Sequence, residues 1–268
     1  MFKNLILAII TISLVSFNAY AGSDGELTLS KERKEQTEEI KDCFEKLNRV
    51  TFSFNQKLDK TIIKPVAKSY RNLPDPIQRG AGNAVTNLSN LITIPNNILQ
   101  GDMRTAIINT ARLAVNSTLG IFGTIDVANK LGFPKYEKED YGQTLGAWGF
   151  GPGCYFVIPV LGPSTIRDTA GSFVNVVGGD PWYNASFHGN NEFLSEGLYT
   201  GTRIVGGIDF RANNIESFDN LENNSLDFYA SIRSLYLQDR KNKIKNNQQG
   251  NLEILYEDDD GWEELENQ

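Results

Sequence analysis

Apolar residues recur at helical spacing along most of this chain. Leu47, Val50, Phe54 and Leu58 repeat every three or four residues, and charged or polar side chains lie between them. The same pattern returns from Ile77 to Leu91 and from Ile107 to Val115. Such spacing predicts amphipathic helices. Because strands and helices do not alternate regularly, we predict a mostly helical fold.

Capping and stop signals set the predicted helix boundaries. Asp42, with Glu45 three residues later, resembles a capping box at the start of the first helix. Gly101-Asp102 is predicted to end one helix and cap the next, in which Asn109, Arg112 and Asn116 occupy the polar side.

Further helices are predicted after the middle of the chain. Ser164 is a candidate N-cap for a helix to about Val177, and two longer helices follow, from about Glu192 to Phe218 and from Ser225 to about Lys245. Gly197 and Gly201, four residues apart, are a spacing that permits close helix packing.

A glycine-rich segment interrupts the helical pattern between residues 141 and 168. It combines glycines and prolines with Trp148, Phe150 and Tyr155. Glycines at this density cost backbone entropy and contribute no side chains to a core. We therefore predict a mobile, aromatic loop suited to a lipid surface, followed by a short extended piece from Tyr155 to Val160.

The first 21 residues have the organisation of a secretory signal peptide. Lys3 precedes an apolar run from Leu5 to Val15, and Ala19-Tyr20-Ala21 is a small-x-small cleavage signature. We predict an exported protein with a polar lead-in at 22–41, a helical domain at 42–246 and an acidic, disordered tail at 247–268.

Charge is unevenly distributed. Residues 22–250 hold 25 basic and 25 acidic residues, whereas residues 251–268 hold eight acidic residues and no basic one. A neutral body lacks the basic field that nucleic acid binding requires. We therefore expect no nucleic acid partner.

Signals for catalysis are weak. His188 is the only histidine in the chain, and Ser164 lacks the Gly-x-Ser-x-Gly setting of an exposed nucleophile. Asp258–Asp260 does not have calcium-loop spacing. We expect no enzyme activity, metal or cofactor, with a lipid hydrolase that uses Ser164 or Asp168 as the distant alternative.

One group of cations repeats at helical spacing. Such side chains can lie along apolar surface while their charged ends reach phosphate oxygens. The alternative is an ordinary solvated helix face. The candidate headgroup contacts are Lys57, Lys60, Lys64, Lys68 and Arg71.

Several motifs, in order along the chain, resemble the MlaA (VacJ) family of outer-membrane proteins. The resemblance extends from about Asp42 to Gln238. Its motifs are Asp42-x-Phe-Glu-x-Leu-Asn-Arg49, Phe52-Ser-Phe-Asn-Gln-Lys-Leu-Asp59, Lys64-Pro-Val-Ala-Lys68, Asn96-Asn97-x-Leu-Gln-Gly101, Asn116-Ser-Thr-Leu-Gly120, Tyr141-Gly-Gln-Thr-Leu-Gly146 and Leu161-Gly-Pro-Ser-Thr-x-Arg-Asp168.

The resemblance implies a ring of amphipathic helices that lies in the inner leaflet of the outer membrane around an amphipathic pore. It implies removal of phospholipids from the outer leaflet, beside a trimeric porin, with delivery to a periplasmic carrier and no enzyme chemistry. The family's loop beside the pore matches residues 142–153, which we expect to gate lipid passage. The candidate gating residues are Gly142, Gln143, Thr144, Leu145, Gly146, Trp148, Gly149, Gly151, Gly153 and Tyr155.

Two features depart from the family pattern. Ala-Tyr-Ala replaces the usual lipobox cysteine, so we expect membrane attachment without an acyl anchor. Cys43 and Cys154 stand where the family has proline, and we hypothesise a disulfide, since two cysteines in an exported protein favour pairing. The alternative function is a peripheral periplasmic lipid-binding protein without a channel.

Overall fold

A computed structural model describes the backbone of residues 40–188 and 195–263. The described residues belong to one compact unit that begins at Ile40, and most of them are helical, which confirms the predicted fold class. The predicted signal peptide, the lead-in up to residue 39 and the predicted helix start at Glu192 lie outside the described residues.

The N-terminal helices form one nearly continuous rod. Helix α1 spans Glu45–Leu58, a π-helical turn spans Asp59–Ile63, and α2 spans Lys64–Arg71. Pro65 lacks an N–H and its ring conflicts with the preceding turn of an α-helix, so the wider π turn accommodates it.

The predicted N-cap at Asp42 is wrong. Phe44 occupies the cap position and makes no side-chain cap hydrogen bond. Asp42 instead accepts hydrogen bonds from Asn48 Nδ2 at 2.7 Å and from the Tyr229 hydroxyl. A distant partner therefore outcompetes the local capping role.

Helices α3 (Asp75–Leu99) and α4 (Met103–Thr118) pack against each other across a short turn. Gly101 has a φ of +85°, a conformation that glycine adopts without steric cost. Asp102 Oδ1 accepts from the Thr105 N–H at 2.9 Å. The predicted stop and cap at Gly101-Asp102 are confirmed.

The middle of the chain holds short elements. Helix α5 (Val127–Lys130) is capped by Asp126, and α6 (Tyr141–Ala147) is capped by Asp140. Strands β1 (Tyr155–Ile158) and β2 (Gly162–Thr165) form an antiparallel pair, which confirms the predicted extended piece. Helix α7 spans Ile166–Val174, and a π-helical stretch follows at Asn175–Gly179.

Ser164 does not cap α7, contrary to prediction. It lies in β2, and Thr165 is the N-cap, its hydroxyl accepting from the Asp168 N–H at 3.2 Å. Strand pairing of Ser164 with Phe156 moves the helix start by one residue.

The C-terminal part consists of α8 (Pro181–His188), α9 (Glu196–Asn213), α10 (Ile215–Asn224) and α11 (Phe228–Glu263). Helix α11 continues through 247–263, where the sequence analysis predicts the start of an acidic tail. Adding residues to a formed helix avoids a new nucleation cost, and glutamine, leucine and glutamate favour helix. Residues 264–268 lie outside the described part of the chain.

Cys43 and Cys154 form a disulfide, with their Cα atoms 5.6 Å apart. The pairing that the sequence left as a hypothesis is thus present in the structure. It joins the segment before α1 to the segment after α6, across 111 residues of chain.

Removing this disulfide is expected to lower the free energy of unfolding by about 2–4 kcal/mol, because the crosslink restricts the unfolded chain. The measurement is thermal unfolding in detergent of the Cys43→Ser/Cys154→Ser variant. Reductant is expected to bring the wild-type protein down to the variant's transition temperature and to leave the variant unchanged. Equal stability of oxidised wild type and variant would contradict the prediction.

Candidate functional site

The polarity of the principal helices is inverted relative to a water-soluble protein. On α3 and α4 the buried side chains are mainly amides and hydroxyls, and one buried arginine joins them. The buried polar residues of these two helices are Asn87, Asn90, Thr93, Asn96, Asn97, Asn109, Arg112 and Asn116. Buried polar groups are costly unless they find hydrogen-bond partners, so this interior is built for polar contents.

Large apolar side chains lie on the outside of the same elements. Leu47 and Val50 on α1 are 64% and 68% exposed, while Asn48 between them is buried. Ile107 on α4 is 66% exposed and Phe122, after α4, is 86% exposed. Soluble monomers rarely expose large apolar patches, which mark protein or membrane contact sites. The apolar stripes predicted at α1 and α4 therefore face outward, not inward.

An open pocket of about 410 Å³, here called the outer pocket, lies at the surface next to this polar interior. It lies between the first half of α3 and the end of α9. It is lined by Asp75, Gln78, Arg79, Gly82, Asn83, Thr86, Asp209 and Asn213.

A smaller inner pocket continues from the outer one, because Asn83 and Thr86 line both. Its remaining lining residues are Asn87, Asn90, Arg112, Asn116, Asp126 and Tyr136. Together the two pockets make a polar recess between α3, α4 and α9.

Arg112 is the cation of the inner pocket, and Asp126 and the Pro134 carbonyl hold it in place. Its guanidinium donates to both oxygens of Asp126, at 2.9 and 3.1 Å, and to the Pro134 carbonyl at 2.8 Å. Asn116 donates to Asp126 at 3.0 Å. Burial raises the pKa of Tyr136 to about 12, so this wall carries paired charges and neutral hydrogen-bonding groups.

Only the second half of the predicted gating segment is a loop, because its first half is helical. Gly142, Gln143, Thr144, Leu145 and Gly146 lie in α6, so the prediction of a loop there is wrong. Asp140 caps this helix by accepting from the Gln143 N–H at 2.9 Å. Its glycines permit close packing: a Cβ at Gly142 would lie 2.6 Å from Asp168 Oδ1.

The second half of the segment is a loop with exposed aromatic side chains. Trp148 and Phe150 are 54% and 59% exposed, and Trp148 Nε1 donates to the Leu99 carbonyl at 2.9 Å. Gly149 and Gly153 have positive φ, and Gly151 has open space around it. Residues 148–154 thus form an exposed loop.

Tyr155 lies apart from that loop. It is fully buried in β1, beside Tyr229 and Tyr236. Its position in a core cluster contradicts the expected exposure of this side chain.

Three of the five predicted headgroup cations are engaged by α10. Lys60 contacts Glu222 at 2.5 Å, Lys64 contacts Asp219 at 2.7 Å, and Arg71 contacts Glu216 at 2.5 Å. Lys57 and Lys68 are exposed. Most of these cations therefore lie in the contact between α1–α2 and α10. The acidic residues of α10 lie about 150 positions away in sequence, so no local pattern predicts the pairing.

The predicted polar side of α4 lies in the interior: Asn109, Arg112 and Asn116 are all buried. Sequence reasoning missed the larger contribution of α3. Asn83, Asn87, Asn90 and Asn97 follow helical spacing there, but the sequence analysis used only the apolar stripe from Ile77 to Leu91. The row of asparagines along α3 was the sequence signal that could have identified its polar, buried side.

Candidate catalytic groups have structural partners instead. Ser164 Oγ shares a hydrogen bond with the Thr169 hydroxyl at 2.8 Å. Asp168 accepts from Arg240, Arg167 and Tyr236. Within the described part of the chain, no three metal-ligating side chains cluster. Among the described helices, none combines the length and apolarity needed to cross a bilayer.

Comparisons with known proteins agree on one family. Residues 40–243 match the family model described as MlaA lipoprotein. The "Intermembrane phospholipid transport system lipoprotein MlaA" of Escherichia coli K12 is 32% identical over 202 residues, covering 74% of this chain and 76% of that protein. The protein of the same name from Haemophilus influenzae is 26% identical over 223 residues, covering 79% and 82%.

Two further matches extend this result. An uncharacterized protein of Rickettsia felis is 32% identical over 208 residues, covering 77% of this chain and 79% of its own length. A solved structure described as "Structural basis for maintenance of bacterial outer membrane lipid asymmetry" superposes with a TM-score of 0.66 at 31% identity, covering 76% of this chain and 99% of that one.

Proposed function

This chain belongs to the MlaA lipoprotein family, and from that premise we propose that it transports phospholipids at the outer membrane and so maintains lipid asymmetry. We propose specifically that it removes phospholipids from the outer leaflet. The observation that carries the proposal is the inverted polarity: a polar recess inside helices whose exposed side chains are apolar.

The physical reason lies in the lipid headgroup. Moving a charged headgroup through hydrocarbon is costly, and a polar passage replaces the lost water contacts. Exposed apolar side chains gain about 25 cal/mol per Å² when a leaflet covers them. We propose that the helices form a ring in the periplasmic leaflet, as amphipathic helices lie in an interface, and that the polar recess is part of its pore.

Handover and partners are further parts of the proposal. The family resemblance implies a trimeric porin beside the protein and a periplasmic carrier that receives the lipid. Residence in the membrane without an acyl anchor would then rest on the outward apolar faces. Lys57 and Lys68, the exposed members of the cation stripe, remain the proposed headgroup contacts on that surface.

Blocking the recess tests the proposal. Thr86 lines both pockets, so the indole of a Thr86→Trp variant would obstruct their junction. In cells that lack the protein, the wild-type chain is expected to restore low surface exposure of phospholipid, and Thr86→Trp is expected to fail. The measurement is chemical labelling of surface phospholipid.

The matched control is Ile107→Trp, which places the same side chain on an exposed apolar face. It is expected to restore asymmetry as well as the wild type, at equal protein abundance. Full activity of Thr86→Trp, or equal loss in both variants, would count against a passage at this recess.

The exposed loop at 148–154 is the proposed gate. Gly149 has a φ of +90°, and its N–H donates to the Gly146 carbonyl at 3.0 Å. Proline requires a φ near −65° and has no N–H, so Gly149→Pro is expected to displace Trp148 from Leu99. We expect the transport rate to change about tenfold, equivalent to about 1.4 kcal/mol in the barrier.

The control for the gate is Gly151→Ala, because a Cβ there would meet open space. Its transport rate is expected to match the wild type. The measurement is transfer of labelled phospholipid from vesicles that contain the protein. A wild-type rate for Gly149→Pro would refute a gating role for this loop.

A further inference from the structure

Asp209 presents a carboxylate to the outer pocket without a cationic partner. It accepts hydrogen bonds from the Tyr70 hydroxyl at 3.0 Å and from Asn213 Nδ2 at 3.1 Å. Within the described ranges, no lysine or arginine lies within 4 Å of it. Burial and the neighbouring Asp209 raise the pKa of Tyr70 to about 12, so Tyr70 donates to Asp209 as a neutral hydroxyl.

Gly82 keeps the path to that carboxylate open. A Cβ at this position would lie 3.1 Å from Asp209 Oδ2, so any side chain would cover the carboxylate. Both residues line the outer pocket. The negative charge therefore faces a cavity large enough for a small polar group.

The inner pocket offers acceptors that have no donor. Asn87 Oδ1 and Asn90 Oδ1 lack hydrogen-bond partners among the described residues, although these residues are only 4% and 2% exposed. The amide orientation of Asn90 follows from its Nδ2, which donates to the Thr86 and Asn87 carbonyls. Buried acceptors of this kind call for a ligand or water that donates hydrogen bonds.

Arg79 contributes a cation to the lining of the outer pocket. The Arg79 side chain is 73% exposed and its guanidinium is 3.6 Å from Asp75, a loose contact that leaves most of its donors to solvent. Guanidinium groups bind phosphate through paired hydrogen bonds. The pocket thus presents an acceptor-rich side with Asp209 and a phosphate-binding group in Arg79.

We propose that the two pockets form a binding site for a primary ammonium group linked to a phosphate, as in an ethanolamine phospholipid headgroup. Asp209 receives the ammonium and Arg79 receives the phosphate in the outer pocket. The Asn87 and Asn90 oxygens, in the inner pocket, accept from water or from the headgroup when it moves deeper into the recess. This inference rests on the proposed function and adds a headgroup preference to it.

The test measures which lipid the full-length protein retains. Protein in detergent is mixed with equal amounts of ethanolamine and glycerol phospholipids with identical acyl chains, repurified, and its lipid quantified by mass spectrometry. Wild type is expected to be enriched in the ethanolamine lipid. In Asp209→Asn the enrichment is expected to fall about tenfold, the factor that one charge-assisted hydrogen bond provides.

Two variants serve as controls. Asp209→Glu keeps the charge and is expected to keep most of the preference. Asp239→Asn removes an exposed carboxylate whose partner is Lys243 on the same helix and is expected to match the wild type. Asparagine at 209 still accepts from Tyr70, and an unchanged unfolding temperature confirms that the fold persists.

The source of the ammonium is resolved by a second arm, calorimetry with soluble phosphoethanolamine and no lipid. Binding that weakens in Asp209→Asn supports a site for the headgroup alone, and a lipid preference without soluble binding supports lipid as the occupant. Equal headgroup ratios in wild type and Asp209→Asn, with total bound lipid unchanged, would overturn the inference and leave the proposed function standing. Failure of every variant and of wild type to retain lipid would overturn both.

Discussion

Replacing Arg240 with methionine is expected to lower the free energy of unfolding by about 3–5 kcal/mol at neutral pH, the usual cost of leaving a buried charge unpaired. Arg240 donates to both oxygens of Asp140, at 2.6 and 2.9 Å, and to Asp168 at 2.8 Å. The Arg240 and Asp168 side chains are only 11% and 8% exposed. This arginine therefore joins α11 to the start of α6 and to α7.

The pH dependence of the stability lost in Arg240→Met identifies the cause of that loss. Desolvation by burial raises the pKa values of Asp140 and Asp168, but the charge and hydrogen bonds of Arg240, with smaller contributions from Gln143 and Tyr236, hold both below their usual range. A carboxylate with a depressed pKa stabilises the fold above pH of about 4, and that stabilisation disappears as pH falls through its folded value.

Without Arg240, burial dominates, so the carboxyl pKa values are expected to rise and the destabilisation to shrink on acidification. The loss caused by Arg240→Met is thus expected to be smaller at pH 4.5 than at pH 7.5 in thermal unfolding. Lys243→Met, which removes an exposed pair within α11, is expected to cost at most about 0.5 kcal/mol at either pH. An equal loss for Arg240→Met at both pH values would contradict this account.

Helix content and most boundaries follow from local signals, but the direction in which the helices face does not. The spacing of Leu47, Val50 and Phe54 predicts α1 correctly, yet the same spacing fits a helix that buries or exposes its apolar side. The surrounding medium decides which side of the helix faces outward. Water favours burial of the apolar side, whereas a lipid leaflet favours its exposure. The asparagine row of α3 carries the missing information, since four amides on one helix face are poor core residues.

Contacts between residues far apart in sequence are the other feature that the sequence pattern does not predict. The partners of Lys60, Lys64 and Arg71 on α10, and of Asp42 on α11, are selected by the packing of distant helices, which no short window of sequence encodes. The glycines illustrate the same point. Gly197 and Gly201 have the spacing of a packing motif, but a Cβ at Gly201 would meet open space.

The close helix contact lies at Gly171 instead. A Cβ there would be 2.3 Å from the Gly142 nitrogen and 2.7 Å from the Tyr141 carbonyl carbon. Both contacts are backbone atoms of α6, so no side chain can rotate away. Gly171→Ala is expected to force α6 and α7 apart and to destabilise the protein by about 3 kcal/mol or more, at or beyond the upper end of ordinary overpacking.

The displacement of α6 in Gly171→Ala is expected to reach the polar interior, since Thr144 on α6 donates to Asn96 on α3 at 2.6 Å. Gly207→Ala is the matched control: Gly207 also lies inside a helix, α9, but has open space around it. Alanine there is expected to raise stability by about 0.5–1 kcal/mol, because it restricts the unfolded chain and favours helix. Thermal unfolding of the two variants should therefore move in opposite directions. A shift of the same sign in both would mean that helix propensity, and not the contact between α6 and α7, determines the response.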